Sequence, residues 1–338
     1  MNIETGPARA PRRRFVLILV PIVLLVIVVL ALMWWWDTEP EHFDVAAAAQ
    51  ARATTRQQPV VVGSTTTAAL VESIERMLGK RGGYLSNDRF PPGVLMDNLP
   101  NWEFGALTAT RDLARALRNE FSRSQTQSAE DKDLQEAEPL FSSPNDRWLL
   151  PSSESQYRKG AAFIDSYAKR LADNDQSDAQ FYARADNLAD YLQVVSTRLG
   201  SLSQNLSASV GQVRIDTDLA NDPSATQSKP AESPRAVRTP WLEIDDKFYE
   251  ARGYTWALRA QLEAIRVDFG PVLRDKNAMI SLEQVIRELE EAQVPLGSPI
   301  VLNGSAYGFF ANHSLVLANY VSRANAALIE LRELLRRG

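Results

Sequence analysis

Two histidines, His42 and His313, and a complete lack of cysteine limit the chemistry this chain can carry. Without thiols there are no disulfides, thiolate nucleophiles or thiolate-bound metals. That composition suits an oxidising compartment. Two imidazoles without an H-E-x-x-H spacing do not supply a multi-histidine zinc site. Neither a G-x-S-x-G elbow nor a glycine-rich phosphate loop occurs, and no cofactor is expected. The remaining catalytic option is a hydrolase in which His313 acts as base beside a carboxylate such as Asp88 or Asp97. His42 is read as lying in a stalk. Asp245 and Asp246 read as dipole partners at a helix start. Asp216, Asp218 and Asp222 lack EF-hand spacing.

A second feature concerns binding. Residues Ala292–Ser322 form a stretch of 31 without a formal charge, yet they include Asn303, Asn312, His313 and Asn319. Buried amides need hydrogen-bond partners. The turn-rich residues 82–102 offer Asn87, Asp88, Asp97, Asn98 and Asn101, next to Trp102. The expectation is that residues 82–102 and 303–319 meet at one end of a bundle. There they would line a polar ligand pocket or form a structural network pinning two loops.

The elements that position these groups begin with an anchor. Phe15–Trp36 is 22 uncharged residues, mostly Leu, Val and Ile. As a helix it reaches roughly 33 Å, enough for a hydrocarbon core of about 30 Å. Trp34, Trp35 and Trp36 make an aromatic belt at its far end. Arg12–Arg14 precede it, and Asp37, Glu39, Glu41 and Asp44 follow. The positive-inside rule then puts residues 1–14 in the cytoplasm and the rest outside. A cleaved signal peptide would have a shorter apolar run and a small-residue cleavage site close behind it.

Residues 37–63 read as a stalk with an Ala run that could be helical. Residues 64–215 read as a helical region, with helices near 64–78, 101–121, 153–171 and 181–206. Asn101 is the expected cap of the second. Residues 122–151 read as irregular. Residues 216–240, rich in Pro, read as a disordered linker. Residues 241–338 add helices near 244–269, 278–293 and 309–337. Phe181 to Leu206 and Ile244 to Phe269 carry apolar residues alternating at spacings of four and three, the mark of a packed seam. Only Val60–Val62 and Ile300–Leu302 hint at strands. The fold class expected is all-α: one transmembrane helix, then an exported antiparallel bundle of about seven helices. A coiled-coil dimer through the seams is the alternative to packing within the chain.

The first 36 residues hold four Arg and one Glu. That leaves 33 basic and 41 acidic residues, a net −8, on residues 37–338. An acidic domain repels nucleic acid, so no nucleic-acid partner is expected. It is also a poor electrostatic match for anionic lipid.

Several segments together carry a family resemblance: GGYLSND (Gly82–Asp88), DNLPNWEFG (Asp97–Gly105), RDLARALR (Arg111–Arg118), LPSSES (Leu150–Ser155), FYARADNL (Phe181–Leu188), RLGSLSQNLSASVGQ (Arg198–Gln212), PWLEIDDKFYEARG (Pro240–Gly253) and ANHSLVLANYVSRANAA (Ala311–Ala327). The chain resembles, over nearly its whole length, an uncharacterised family of bacterial inner-membrane proteins catalogued as domain of unknown function 2333. The resemblance implies a Gram-negative cell and a periplasmic domain, and brings no activity or site residues. The function expected is a non-enzymatic envelope module, anchored in the inner membrane by residues 15–36, that binds another envelope protein. The alternatives are the His313 hydrolase and a periplasmic ligand-binding protein using the polar pocket.

Overall fold

The apolar N-terminal run is one uninterrupted helix in the computed structural model, which describes residues 11–123, 130–173, 175, 178–214, 235–298, 300–305 and 308–337. This helix, α1 (Pro11–Trp36), contains Pro21. Its Leu19–Trp36 window has a mean hydropathy of 2.7 and buries none of its residues against the rest of the chain. By length and composition it can cross a membrane.

Ten further helices follow among the described residues: α2 (Val45–Arg56), α3 (Ser64–Gly79), α4 (Asn98–Ala116), α5 (Lys132–Phe141), α6 (Ser153–Leu171), α7 (Ala185–Ser207), α8 (Ile244–Asp268), α9 (Gly270–Asp275), α10 (Met279–Glu291) and α11 (His313–Arg336). The fold is all-α, as the periodicity predicts. Among the described residues, β1 (Gln212–Arg214) and β2 (Arg235–Val237) form a three-residue antiparallel pair. It lies within or beside the expected linker, of which residues 216–234 fall outside the described residues.

The three helices beyond the expected seven are short and weakly apolar. Helix α2 replaces the stalk. Asp44 caps it through the amides of Ala46 and Ala47, and Val45, Ala49 and Ala53 bury one face. Small residues four apart pack closely while giving little hydropathy signal, which is why the segment read as a spacer. Helix α5 falls in the stretch read as irregular. Asp131 caps it, and Leu134, Ala137 and Phe141 face inward despite Pro139 in its last turn. Helix α9 opens directly after α8, with Pro271 in its first turn.

Helix α4 is capped four residues earlier than expected, by Asp97 instead of Asn101, and runs on into a π-helical turn, Leu117–Phe121. Phe181 precedes α7 in extended backbone, where the Tyr182 amide donates to Phe121.

One apolar core joins both sides of the linker, running from Phe43 to Leu335. The α7 seam is spent inside the chain: Leu192, Val195 and Leu199 are fully buried. It packs antiparallel to α11, with Ser196 bonded to Asn325 and Ser203 to Ala318. At the centre, α4 and α8 run parallel. Asn101 meets Asp246 near their starts, and Phe121 meets Phe269 just past their ends, 5.1 Å between ring centroids.

The α4–α8 crossing is so close that backbone touches backbone. A Cβ on Gly253 would lie 1.8 Å from the Trp102 carbonyl oxygen, and one on Gly105 would lie 2.0 Å from that of Glu250. Neither neighbour is a flexible tip, so the helices themselves must part. Gly253→Ala is expected to lose about 1–3 kcal/mol of stability through overpacking. Urea titration followed by circular dichroism measures it, and an unchanged midpoint would contradict the crossing.

Candidate functional site

The chain enters the domain directly after α1. Glu39 makes a bidentate pair with Arg252 of α8 at 2.7 and 2.6 Å. Arg252 is buried, and its other contacts are the carbonyls of Ala292 (3.2 Å), Val294 (3.0 Å) and Gln293 (3.4 Å). These lie just past the end of α10, where a cation meets the negative pole of the helix.

Further along, His42 Nε2 sits 3.0 Å from Glu263, and Arg259 reaches Glu263 at 3.0 Å and Glu290 at 3.1 Å. Burial pushes the Glu263 carboxyl up, but His42 and Arg259 outweigh it and hold it below the usual range. Phe43 is buried between Trp256, at a centroid distance of 6.1 Å, and the Arg76 guanidinium, at 4.9 Å. Glu39, His42, Arg252, Trp256, Arg259 and Glu290 border a cleft of about 570 Å³ that opens beside Trp34. His42 is thus part of a folded charge network, not of a stalk.

A second buried cluster pins the turn after α3. Glu103 in α4 is fully buried and lies 2.6 Å from Lys80 Nζ. It also accepts from the amides of Leu85 and Ser86, both at 2.8 Å, and from the Ser86 hydroxyl at 2.5 Å. Lys80 donates in addition to the Gly83 carbonyl. A third cluster gathers Asp131, Asp133 and Asp178 around Arg170.

The residues proposed for a polar pocket mostly serve their own segments. Asn87 donates to the Arg147 carbonyl (3.0 Å) and to Glu154 (2.8 Å). Asp88 packs over Gly93. Asp97 accepts from the Asn98 amide at 2.9 Å. The Asn98 side chain approaches Asp37 at 3.5 Å. Asn101 donates to the Asp97 carbonyl and to Asp246. Trp102 is buried, 5.0 Å from Trp256.

On the other side, Asn303 and Asn312 form an isolated antiparallel bridge. Asn303 accepts from Ser314 at 2.7 Å. Asn312 caps α11 through the Leu315 amide and donates to Gly304. Asn319 is exposed. Both segments touch the start of α8, Asn101 at Asp246 and His313 at Phe248, with 6.5 Å between ring centroids. Among the described residues no hydrogen bond or ion pair joins the two sets directly.

His313 Nδ1 accepts from the Leu302 amide at 3.0 Å, which places the proton of the neutral ring on Nε2. Burial lowers its pKa. The ring borders a largely apolar cleft of about 260 Å³ with Phe248, Leu296 and Tyr320, and Glu291 stands at the same cleft. Among the described residues no carboxylate lies within hydrogen-bond distance of His313.

Sequence reasoning missed the Glu39–Arg252 and Lys80–Glu103 pairs. The available signal was a charge set at a core position: Glu103 between Trp102 and Phe104, and Arg252 beside Ala251 in the α8 seam.

The architecture defines a class: a single-core helical domain continuous with an apolar N-terminal helix, its buried charges clasping one segment to another. Within that class, residues 10–338 match the model of a family described as "Uncharacterized protein conserved in bacteria (DUF2333)", and the chain belongs to that family. No curated protein and no solved structure matches it.

Proposed function

We propose that this protein is a non-enzymatic module of the bacterial envelope. Residues 15–36 anchor it in the inner membrane, residues 37–338 face the periplasm, and the domain serves as a scaffold for another envelope protein. The observation that carries this reading is the clasp after Trp36. Glu39, His42 and Phe43 are bound to α8 within seven residues of the apolar helix. A domain fastened so close to its anchor is held at a set height, which suits a fixed docking platform better than a mobile catalytic head. Arg12–Arg14 in the first turn of α1, ahead of its apolar run, and the carboxylates after Trp36 support the orientation.

After an alkaline carbonate wash, the full-length chain is expected in the membrane pellet. Alkaline phosphatase fused after Gly338 is expected to be active. A soluble chain lacking its first forty or so residues would overturn the anchor; an inactive phosphatase would overturn the orientation. In-cell crosslinking with affinity capture is expected to return a discrete envelope protein. Recovery of the chain alone would remove the scaffold role.

A further inference from the structure

The exposed aromatic side chains are concentrated at one end of the molecule. Outside α1, the exposed Phe and Trp residues among those described are Phe90, Trp148, Trp241, Phe309 and Phe310. They sit on four loops: the turn before α4, the loop before α6, the approach to α8 and the approach to α11. Phe309 is 98% exposed, Trp241 80% and Phe90 75%, so these are projecting rings and not the rims of a core. Exposed Leu95, Leu150 and Leu242 accompany them on the same loops.

All four loops lie at the end where α1 leaves the domain. Along α8, Arg252 meets Glu39, Glu263 meets His42, and Asp268 meets Thr66. The start of α8 therefore points toward α1, and Trp241 and Leu242 stand just before that start. Phe309 and Phe310 precede α11, whose first residue, His313, rests on Phe248 in the second turn of α8. The turn holding Phe90 and Leu95 lies between two contacts with the end of α1. At one, Gly82 abuts Trp36 so closely that a Cβ would lie 2.7 Å from the indole; at the other, Asn98 meets Asp37. The Trp148 loop is tied to that same turn by the bonds of Asn87 and Arg89 to the carbonyls of Arg147 and Asp146.

We infer that this end of the domain is seated on the outer leaflet of the bilayer that α1 crosses, with Phe90, Trp241, Phe309 and Phe310 sunk into its interface. The inference rests on the anchoring proposed above and adds to it a second, peripheral contact. Continuity selects lipid as the occupant. Trp34 and Trp35 mark the height of the interface, and Trp36, one residue on, is already packed on the domain. Projecting aromatic rings at that height are where amphipathic rings partition best. A free patch of this composition would otherwise be unusual on a monomer. The domain carries net negative charge, so attraction to anionic headgroups is not the driving term; burial of rings and Leu side chains is. Seating should therefore occur on zwitterionic lipid alone.

The absence of cysteine makes the test direct. Single substitutions Phe90→Cys, Trp241→Cys and Phe309→Cys, each in the full-length chain, carry a nitroxide in phosphatidylcholine bilayers. Leu24→Cys in α1 is the lipid reference, and Ile280→Cys, exposed at the opposite end of the bundle, is the water reference. The expected result is that labels at 90, 241 and 309 collide severalfold more with oxygen than with a water-soluble nickel chelate, following Leu24. If they follow Ile280 while Leu24 stays in lipid, the seating is wrong and the anchor stands. If Leu24 also reads as aqueous, both fall. Spin–spin broadening at 309 that vanishes on dilution with unlabelled protein would assign the patch to a second copy and overturn the lipid contact.

Discussion

Glu103→Ala is expected to cost about 3–5 kcal/mol of folding stability, because it strands a buried cation. The Lys80 side chain is 2% exposed, and among the described residues Glu103 is the carboxylate it is paired with. The substitution also removes the acceptor for the Leu85 and Ser86 amides, which lie where water has little access. Burial holds the Glu103 carboxyl above its usual range, against the pull of Lys80, the Ser86 hydroxyl and the Leu85 amide. Lys80→Met should cost less, since the carboxylate keeps Leu85 and Ser86 as donors. The double replacement Lys80→Met with Glu103→Ala should recover part of the loss, since no buried charge is then stranded and the two amides are what stays unmatched. Urea titrations of the four proteins close the cycle. A Glu103→Ala midpoint within about 1 kcal/mol of the wild type would mean that the pair is solvated and not the pin described. The loop held by this pin runs on to Phe90 and Leu95, so a loosened turn should also reduce the contrast between labels at 90 and 280.

The helices that bury apolar stripes were legible from spacing alone. Leu188, Leu192, Val195 and Leu199, like Phe248, Ala251, Leu258, Leu262 and Ile265, repeat with the period of a seam and are buried. Whether a seam faces a second copy or another helix of the same chain is not a property of the repeat. The answer came from α11, whose Leu317, Val321, Ala324 and Leu328 supply the facing surface. In residues 37–63 the Ala run is helical, as its composition allows, but the packing of the segment on the domain is not legible: Ala49 and Ala53 bury little area, and the contacts of Glu39 and His42 are to residues more than 200 positions away.

The expected polar pocket illustrates a different limit. Asn and Asp density marks turns and caps as readily as ligand sites, because a short polar side chain satisfies its own neighbouring backbone. Asp97 and Asn312 do this at the starts of α4 and α11. The apolar residues flanking those caps, from Phe90 to Leu95 and at Phe309 and Phe310, carried the more informative signal. They lie in loops, where projecting rings serve no core.

Arg252→Ala is expected to be the second severe substitution, with a loss of about 3 kcal/mol, at the low end for a buried pair because about a fifth of the Glu39 side chain reaches solvent. The guanidinium makes five hydrogen bonds to four residues: two to the Glu39 carboxylate and one each to the carbonyls of Ala292, Gln293 and Val294. Its removal therefore unties the segment after α1 and leaves the carbonyls just past α10 unmatched in one step. Lysine cannot replace it, because a point ammonium lacks the planar fork that serves a carboxylate and carbonyls together. Glu39→Gln should be milder, since Arg252 keeps its bonds to the α10 end. The second readout is local. Limited proteolysis of the full-length protein in detergent should cut Arg252→Ala between Asp37 and Val45 well before global unfolding, and the wild type only with it. Equal cutting rates in the two proteins would mean that the segment is held by Phe43 and His42 without the ion pair. Faster cutting would identify Arg252 as the residue that turns the apolar N-terminal helix and the helical bundle into one mechanical unit.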